Sequence, residues 1–236
     1  MRRTPVWKQI ESTLENEIAA GHYRPGDRLP TEAALARRFG VNRHTVRRAL
    51  AALEEEGLLL ARRGSGVFVA VETTEYRLRR RTRFRQNLAE AGRSASVRFL
   101  GIEERLADRG EAEALRLPDG ARVLIVDSVG YSDETPLTVG RSVFPIERLP
   151  DFASALSETG SVTEALRRAG VPDYTRASTR LSAERCTATQ AIHLQCAEGT
   201  PLLRAVAINI DAEGRPVEYG RTWFAGDRVQ LVVEPG

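Results

Sequence analysis

Lysine is almost missing from this chain. Lys8 stands alone among 35 cationic side chains, and the other 34 are arginine. The habit runs through both halves, so it reads as a compositional bias and not as the mark of one site. Cysteine is nearly as scarce. Cys186 and Cys196 are too few for a disulfide scaffold, and they stand ten positions apart across expected helix and turn, so both read as reduced core thiols. The three histidines, His22, His44 and His193, are scattered, with no HExxH or CxxC spacing, which argues against a bound metal. Long apolar runs are lacking as well. Leu58–Ala61 and Val67–Val71 fall far short of the ~20 residues that cross a bilayer. Arg2 and Arg3 lead into no apolar stretch of the secretory kind. No GxSxG elbow, Cys/His pairing or cluster of metal ligands points to catalysis. The expectation is a cytoplasmic protein with no metal, no cofactor, no membrane contact and no catalytic residues.

What is present is a chain of 236 residues, 42% of them hydrophobic, enough for one large or two small cores. The net charge of +3 hides a split. Residues 1–81 hold 16 Lys and Arg against 10 Asp and Glu, whereas residues 82–236 hold 19 against 22. A basic first part on a mildly acidic remainder suits one domain that meets a polyanion.

The spacing of apolar residues predicts three helices and a hairpin over residues 1–71. Trp7, Ile10, Leu14 and Ile18 form one helical stripe, ended by Gly21 and Pro25-Gly26. Thr31 caps a short helix with Glu32 in its first turn, Leu35 and Phe39 inside and Gly40 as its stop. Asn42 caps a third helix that is expected to reach Gly57, with Val46, Leu50 and Leu53 as its core stripe. Leu58–Ala61 and Val67–Val71 flank Arg62-Arg63-Gly64-Ser65-Gly66, a hairpin with a basic, glycine-rich tip. Residues 72–81 read as a polar linker. Residues 82–236 contain an internal duplication: Pro136–Phe144 matches Pro216–Phe224 at an offset of 80, and Glu104-Arg105 matches Glu184-Arg185 at the same offset. Two such halves are expected to share one antiparallel sheet with helices covering it. The fold class is therefore α+β.

The short helix, the Gly40-Val41 turn and the third helix form a helix-turn-helix pattern. On the third helix Val46, Leu50 and Leu53 lie within about 60° of one another, and Arg43, His44, Arg47 and Arg48 occupy a neighbouring arc of about 140°. Arginine near a helix N-terminus can present its fork to guanine, and Asn42, His44 and Thr45 can meet bases or phosphates. In the hairpin tip, Gly64 and Gly66 allow close backbone approach, while Arg62 and Arg63 can follow a phosphate track. The candidate DNA-binding set is Asn42, Arg43, His44, Thr45, Arg47, Arg63, Gly64 and Ser65. A nucleotide-binding loop is excluded at the tip, because the third glycine is missing and a strand follows where a helix is required.

The run from Leu29 to Leu50 (LPTEAALARRFGVNRHTVRRAL), then Gly57-Leu58 and Arg63–Val69, resembles the winged-helix domain of GntR-family bacterial repressors. In that family the residue after Glu32 is often a DNA-contacting arginine; here it is Ala33. The second domain resembles the effector-binding domain of the HutC subfamily, which implies a chorismate-lyase-like (UTRA) fold. Asn42–Thr45 and Thr82-Arg83-Phe84-Arg85-Gln86-Asn87-Leu88 are most similar to the phosphonate-metabolism (PhnF-like) branch.

For the effector, Thr82 and Ser161 stand at expected helix starts, where free N–H groups favour anions. Arg141 lies on a strand with Leu137, Val139 and Val143 expected on its face, and needs an anion from a ligand or from a protein carboxylate. The resemblance places Arg141, Ser161 and Thr163 where a phosphorylated or carboxylated ligand is held, with Glu218 and Phe224 at further lining positions. With Thr82 and Arg83 these make the candidate effector set, although each polar member also suits a plain role as cap or turn. The sugar-phosphate branch favours tyrosine at the Thr163 and Phe224 positions, so a smaller ligand fits better. The resemblance implies a homodimeric repressor that binds a pseudo-palindromic double-stranded operator and is released by a small anion: a phosphonate, phosphate ester or carboxylate. The alternatives are a HutC-type repressor answering to a sugar phosphate or carboxylate and, from the fold alone, a lyase-like enzyme.

Overall fold

The computed structural model of the chain describes residues 4–62, 66–70 and 73–233, and these fall into two units, Met1–Glu72 and Thr73–Gly236. In the first, helix α1 (Val6–Ala19) is followed by α2 (Glu32–Phe39), α3 (Arg43–Glu55) and the hairpin β1 (Leu59–Arg62) and β2 (Gly66–Val69). The caps act as the sequence suggests. Thr31 Oγ1 accepts from Ala34 N, and Gly40 takes a left-handed φ of 65° that closes α2. Ile10 and Leu14 of α1 pack on Leu35, Val46, Leu50 and Leu53, and all six are buried. The hairpin is antiparallel, with Leu59 opposite Val69, and Arg28 bridges to Phe68. This is a winged helix-turn-helix.

The segment expected as a linker, residues 72–81, is largely part of the second unit. Thr74–Arg77 is strand β3 and pairs in parallel with β10 (Val229–Val232). Thr74 and Tyr76 point inward and Glu75 outward, an alternation too short to stand out in a polar stretch. Arg79 and Thr82 then close a turn, in which Thr82 Oγ1 accepts from Arg79 N at 2.8 Å and donates to Arg79 O at 2.7 Å.

The remaining elements are α4 (Phe84–Glu90), β4 (Ala95–Leu106), α5 (Arg109–Leu115), β5 (Arg122–Ser132), β6 (Thr135–Pro145), α6 (Phe152–Thr159), α7 (Val162–Arg168), β7 (Thr175–Arg185), α8 (Ala188–Leu194), β8 (Pro201–Ile210) and β9 (Pro216–Ala225). One antiparallel sheet runs β4-β5-β6-β9-β8-β7, so the duplicated halves lie side by side and meet at β6 and β9. The repeat extends to detail. Asp108 with Glu111 and Thr187 with Gln190 form capping boxes 79 residues apart, and Arg116 and Gln195 end α5 and α8 in the same left-handed conformation. Helix α6 and strands β3 and β10 have no counterpart in the repeat. Helices α6 and α7 cover one sheet face through Phe152, Leu156 and Leu166 on Leu124, Val126 and Phe144. The other face carries α5 over Val123, Ile125 and Val143, and α8 over Leu202, Val139 and Trp223.

Glu111 is 1% exposed, the most deeply buried charge in this arrangement. It accepts two 2.8 Å bonds from Arg105 and one of 3.0 Å from Asp108 N, with Arg221 3.5 Å away. Removing one partner of such a cluster leaves uncompensated charge. Glu111→Ala is therefore expected to lower the stability of the second unit by about 3 kcal/mol, read as a fall in the urea midpoint of the full chain; an unchanged midpoint would show that Arg105 and Arg221 find solvent instead.

Candidate functional site

Helix α3 exposes Arg43, His44, Arg47 and Arg48 on the side away from its buried Val46, Ala49, Leu50 and Leu53. The four are not equivalent. Arg47 is held in a bidentate pair with Glu32 of α2, Nε to Oε1 at 3.0 Å and the terminal nitrogen to Oε2 at 2.8 Å. Arg48 stacks over the Trp7 ring at 4.5 Å. Asn42 Oδ1 accepts from both the backbone N and the hydroxyl of Thr45, each at 2.9 Å, so this pair serves as the helix cap. Arg43 and His44 make no hydrogen bond or ion pair among the described residues, and they are the uncommitted donors at the head of the helix. Arg63, Gly64 and Ser65 lie outside the described residues.

In the second unit a cavity of about 400 Å³ opens on the sheet face that carries α6 and α7. Its floor comes from the middle strands: Ser128 and Gly130 of β5, Thr138, Gly140 and Ser142 of β6, and Glu218 and Thr222 of β9. Gly130 is needed for this space, since a Cβ there would lie 2.5 Å from Thr138 Oγ1 and 2.6 Å from the Phe84 ring. Glu218 is the carboxylate of the floor, and it accepts from Ser142 Oγ at 2.6 Å and Asn209 Nδ2 at 2.7 Å. The rim holds Thr82, Arg83, Arg85, Ser161, Thr163, Tyr174 and Arg176. The Arg83 guanidinium lies 3.3 Å from the Tyr174 ring centroid, donates to Tyr174 O at 2.6 Å and pairs with Asp173. The Tyr174 hydroxyl meets Thr163 Oγ1 at 3.1 Å, and burial pushes that phenol up to about 12. Ser161 Oγ caps α7 by accepting from Glu164 N at 3.3 Å.

Thr82, Arg83, Ser161, Thr163 and Glu218 are thus brought together at one cavity, as the sequence suggested, while Arg141 and Phe224 are not. Pocket-facing residues of β6 are the even-numbered Thr138, Gly140 and Ser142, so alternation turns Arg141 to the opposite face. There it forms a bidentate pair with Asp127, both bonds 2.8 Å, and stays 46% exposed. Its anion is the protein's own carboxylate. A bulge at Gly130–Tyr131 also breaks the expected row: Leu137 packs with Tyr76 and Phe224, apart from Val139 and Val143. Phe224 is core, 5.0 Å from the Tyr76 ring, and Tyr76 takes the place on the pocket wall. Tyr76, Ser142, Tyr174, Arg176 and Asn209 were missed. The alternation Thr138, Gly140, Ser142 could have found Ser142; Asn209 is legible only from its pairing opposite Glu218 across β8 and β9.

The model of the gntR family of bacterial regulatory proteins matches residues 7–69, and that of the UTRA domain matches residues 90–230. Over 230 residues the chain is 40% identical to an uncharacterized HTH-type transcriptional regulator of Rhizobium meliloti, covering 97% of this chain and 94% of that one. It is 32% identical over 229 residues to a protein of Escherichia coli named probable transcriptional regulator PhnF, again covering 97% and 94%. Among solved structures it resembles PhnF from Mycobacterium smegmatis with a TM-score of 0.66 and 25% identity, covering 96% of this chain and 99% of the other.

The Glu32–Arg47 pair carries a pH signature. Arg47, and more weakly Arg43 and His44, hold the Glu32 carboxyl below its usual value of 4.5. The stabilisation from a depressed carboxyl is fully present above pH 4.5 and is lost as pH falls through the lower, folded-state value. Because the pair is solvent-screened, its worth is small. Glu32→Gln is expected to lose a small increment of melting temperature at pH 7 and progressively less as pH falls below 4.5, measured by thermal unfolding of both proteins; an equal loss across that range would contradict the ion pair.

Proposed function

The chain belongs to the GntR family of bacterial regulatory proteins and carries a UTRA domain, and on that premise we propose that it is a transcriptional repressor whose grip on its operator is loosened by a small anionic effector. The observation that carries this reading is the pairing, in one chain, of a winged helix with uncommitted Arg43 and His44 and a polar cavity edged by arginines. Arg43 serves as the base- or phosphate-contacting arginine, with Arg47 posed by Glu32 beside it. The cavity binds the effector. Arg83, Arg85 and Arg176 make its rim cationic, while Glu218 asks for a hydrogen-bond donor on the same ligand. A small phosphonate bearing an amine or hydroxyl meets both demands, and the similarity to PhnF supports that class. A sugar phosphate is the second reading, because Ser142, Asn209 and Glu218 would suit sugar hydroxyls. The protein works in the cytoplasm as a homodimer, and its two identical heads ask for a pseudo-palindromic site. Effector and operator are coupled by about 1–3 kcal/mol, the usual range for such switches.

Two outcomes test the reading. Arg43→Ala is expected to weaken binding to the DNA upstream of the chain's own gene by about 1–3 kcal/mol, with the melting temperature unchanged. Fluorescence anisotropy at fixed salt measures it, and wild-type affinity would remove Arg43 from the interface. For the cavity, thermal-shift screening against phosphonates, phosphate esters and carboxylates is expected to find a stabilising ligand. Its shift should be lost in Glu218→Gln and kept in Arg141→Ala; the reverse pattern would move the site to the other sheet face.

A further inference from the structure

The two cysteines are set ten positions apart in sequence, yet their sulfurs lie 3.7 Å from each other. We propose that Cys186 and Cys196 form an oxidative modification site, in which a hydroperoxide converts the pair to an intramolecular disulfide that staples the two ends of α8. Cys186 directly precedes Thr187, the cap of α8, and Cys196 directly follows Gln195, whose left-handed conformation turns the chain back. Both thiols are free.

The backbone on either side is pinned. Cys186 N donates to Thr200 O at 2.9 Å, Gly199 N donates to Cys186 O at 2.8 Å, and Cys196 N donates to Ala191 O at 3.1 Å. Closing from 3.7 Å to the ~2.0 Å of a disulfide then asks for side-chain rotation rather than backbone movement. The two thiols differ in access. Cys186 is buried, and burial pushes its thiol up to about 12, whereas Cys196 is partly exposed. Cys196 therefore meets the oxidant and Cys186 resolves. The Cys196 thiolate attacks the O–O bond, its sulfur takes one hydroxyl as a sulfenic acid, and the other oxygen leaves as an alcohol or water. The Cys186 sulfur then attacks the Cys196 sulfur. The S–S bond forms, the S–O bond breaks, and the departing hydroxide takes the Cys186 proton as water. Two electrons pass from the thiols to the peroxide. Proximity offsets the low thiolate fraction of Cys186.

The duplication supplies an internal control. An offset of 79 maps Cys186 and Cys196 onto Ala107 and Leu117 of the first half. The backbone bonds recur there, Ala107 N to Ala121 O and Leu117 N to Ala112 O, both 2.8 Å. Ala107 and Leu117 pack against the core under α5. The fold thus fills the same two places with plain hydrophobes, and packing alone does not call for a thiol at either. In the second half the two cysteines belong to one apolar cluster with Val139 and Trp223, which lie on the central strands β6 and β9.

The test uses the reduced full-length chain and hydrogen peroxide, followed by thiol counting and intact mass under non-reducing conditions. The expected result is loss of both thiols, a single-chain mass lower by two hydrogens, and recovery of both thiols with dithiothreitol. Cys186→Ala should stop at a sulfenic acid that dimedone traps, and Cys196→Ser should not react. The double variant Cys186→Ala/Cys196→Leu carries the first half's residues, so it should fold and keep its mass in peroxide. Two thiols surviving in the wild type, a disulfide joining two chains, or over-oxidation of Cys196 without loss of the Cys186 thiol would each overturn the proposal.

Discussion

Everything in the second unit is hung on the pairing of β6 with β9, from Thr138 opposite Phe224 to Val143 opposite Tyr219. At its middle two arginines, Arg141 and Arg221, face each other across the strands. Like charges so placed repel, and the structure answers with a carboxylate for each: Asp127 for Arg141, and the buried Glu111 for Arg221 and Arg105. These acids stand on β5 and α5, where they offset the repulsion at the seam of the duplicated halves. The same pairing sets the other face. With the arginines turned to the side of α5 and α8, their neighbours along the strands, Gly140, Ser142 and Thr222, face the cavity floor. Structural charge and candidate ligand chemistry are thereby separated by the thickness of one sheet.

The first unit shows a comparable division of labour at smaller scale. Four cationic or hydrogen-bonding side chains share one face of α3, yet Glu32 and Trp7 engage Arg47 and Arg48, and Asn42 with Thr45 closes the helix end. Two of the four are left at the head of the helix. The Glu32–Arg47 pair also links α2 to α3, so that one residue serves both the shape of the motif and the presentation of its surface.

Several polar residues of the candidate cavity have structural duties of their own. Thr82 closes a turn, Ser161 caps α7, and Thr163 anchors the Tyr174 hydroxyl. These duties hold the rim in place, and a ligand would meet it already ordered, which lowers the entropy cost of binding.

The sequence by itself determined the winged helix, the division into two units and the mirrored halves. Caps, apolar stripes and glycine stops act within a few residues, as at Thr31, Gly40 and Asn42, and the repeat of Pro136–Phe144 in Pro216–Phe224 is visible without coordinates. The meeting of five of the seven candidate residues at one cavity was likewise legible, since they lie in segments that a family resemblance can align. Only the tertiary structure decided the rest. A period of two assigns residues to two faces but does not say which face is the pocket, and the bulge beside Leu137 alters the count. Strand β3 exists because β10, far along the chain, supplies its ladder partner. The partner of Arg141 and the meeting of Cys186 with Cys196 depend on strand register and on a helix turning back, neither of which is encoded in local spacing.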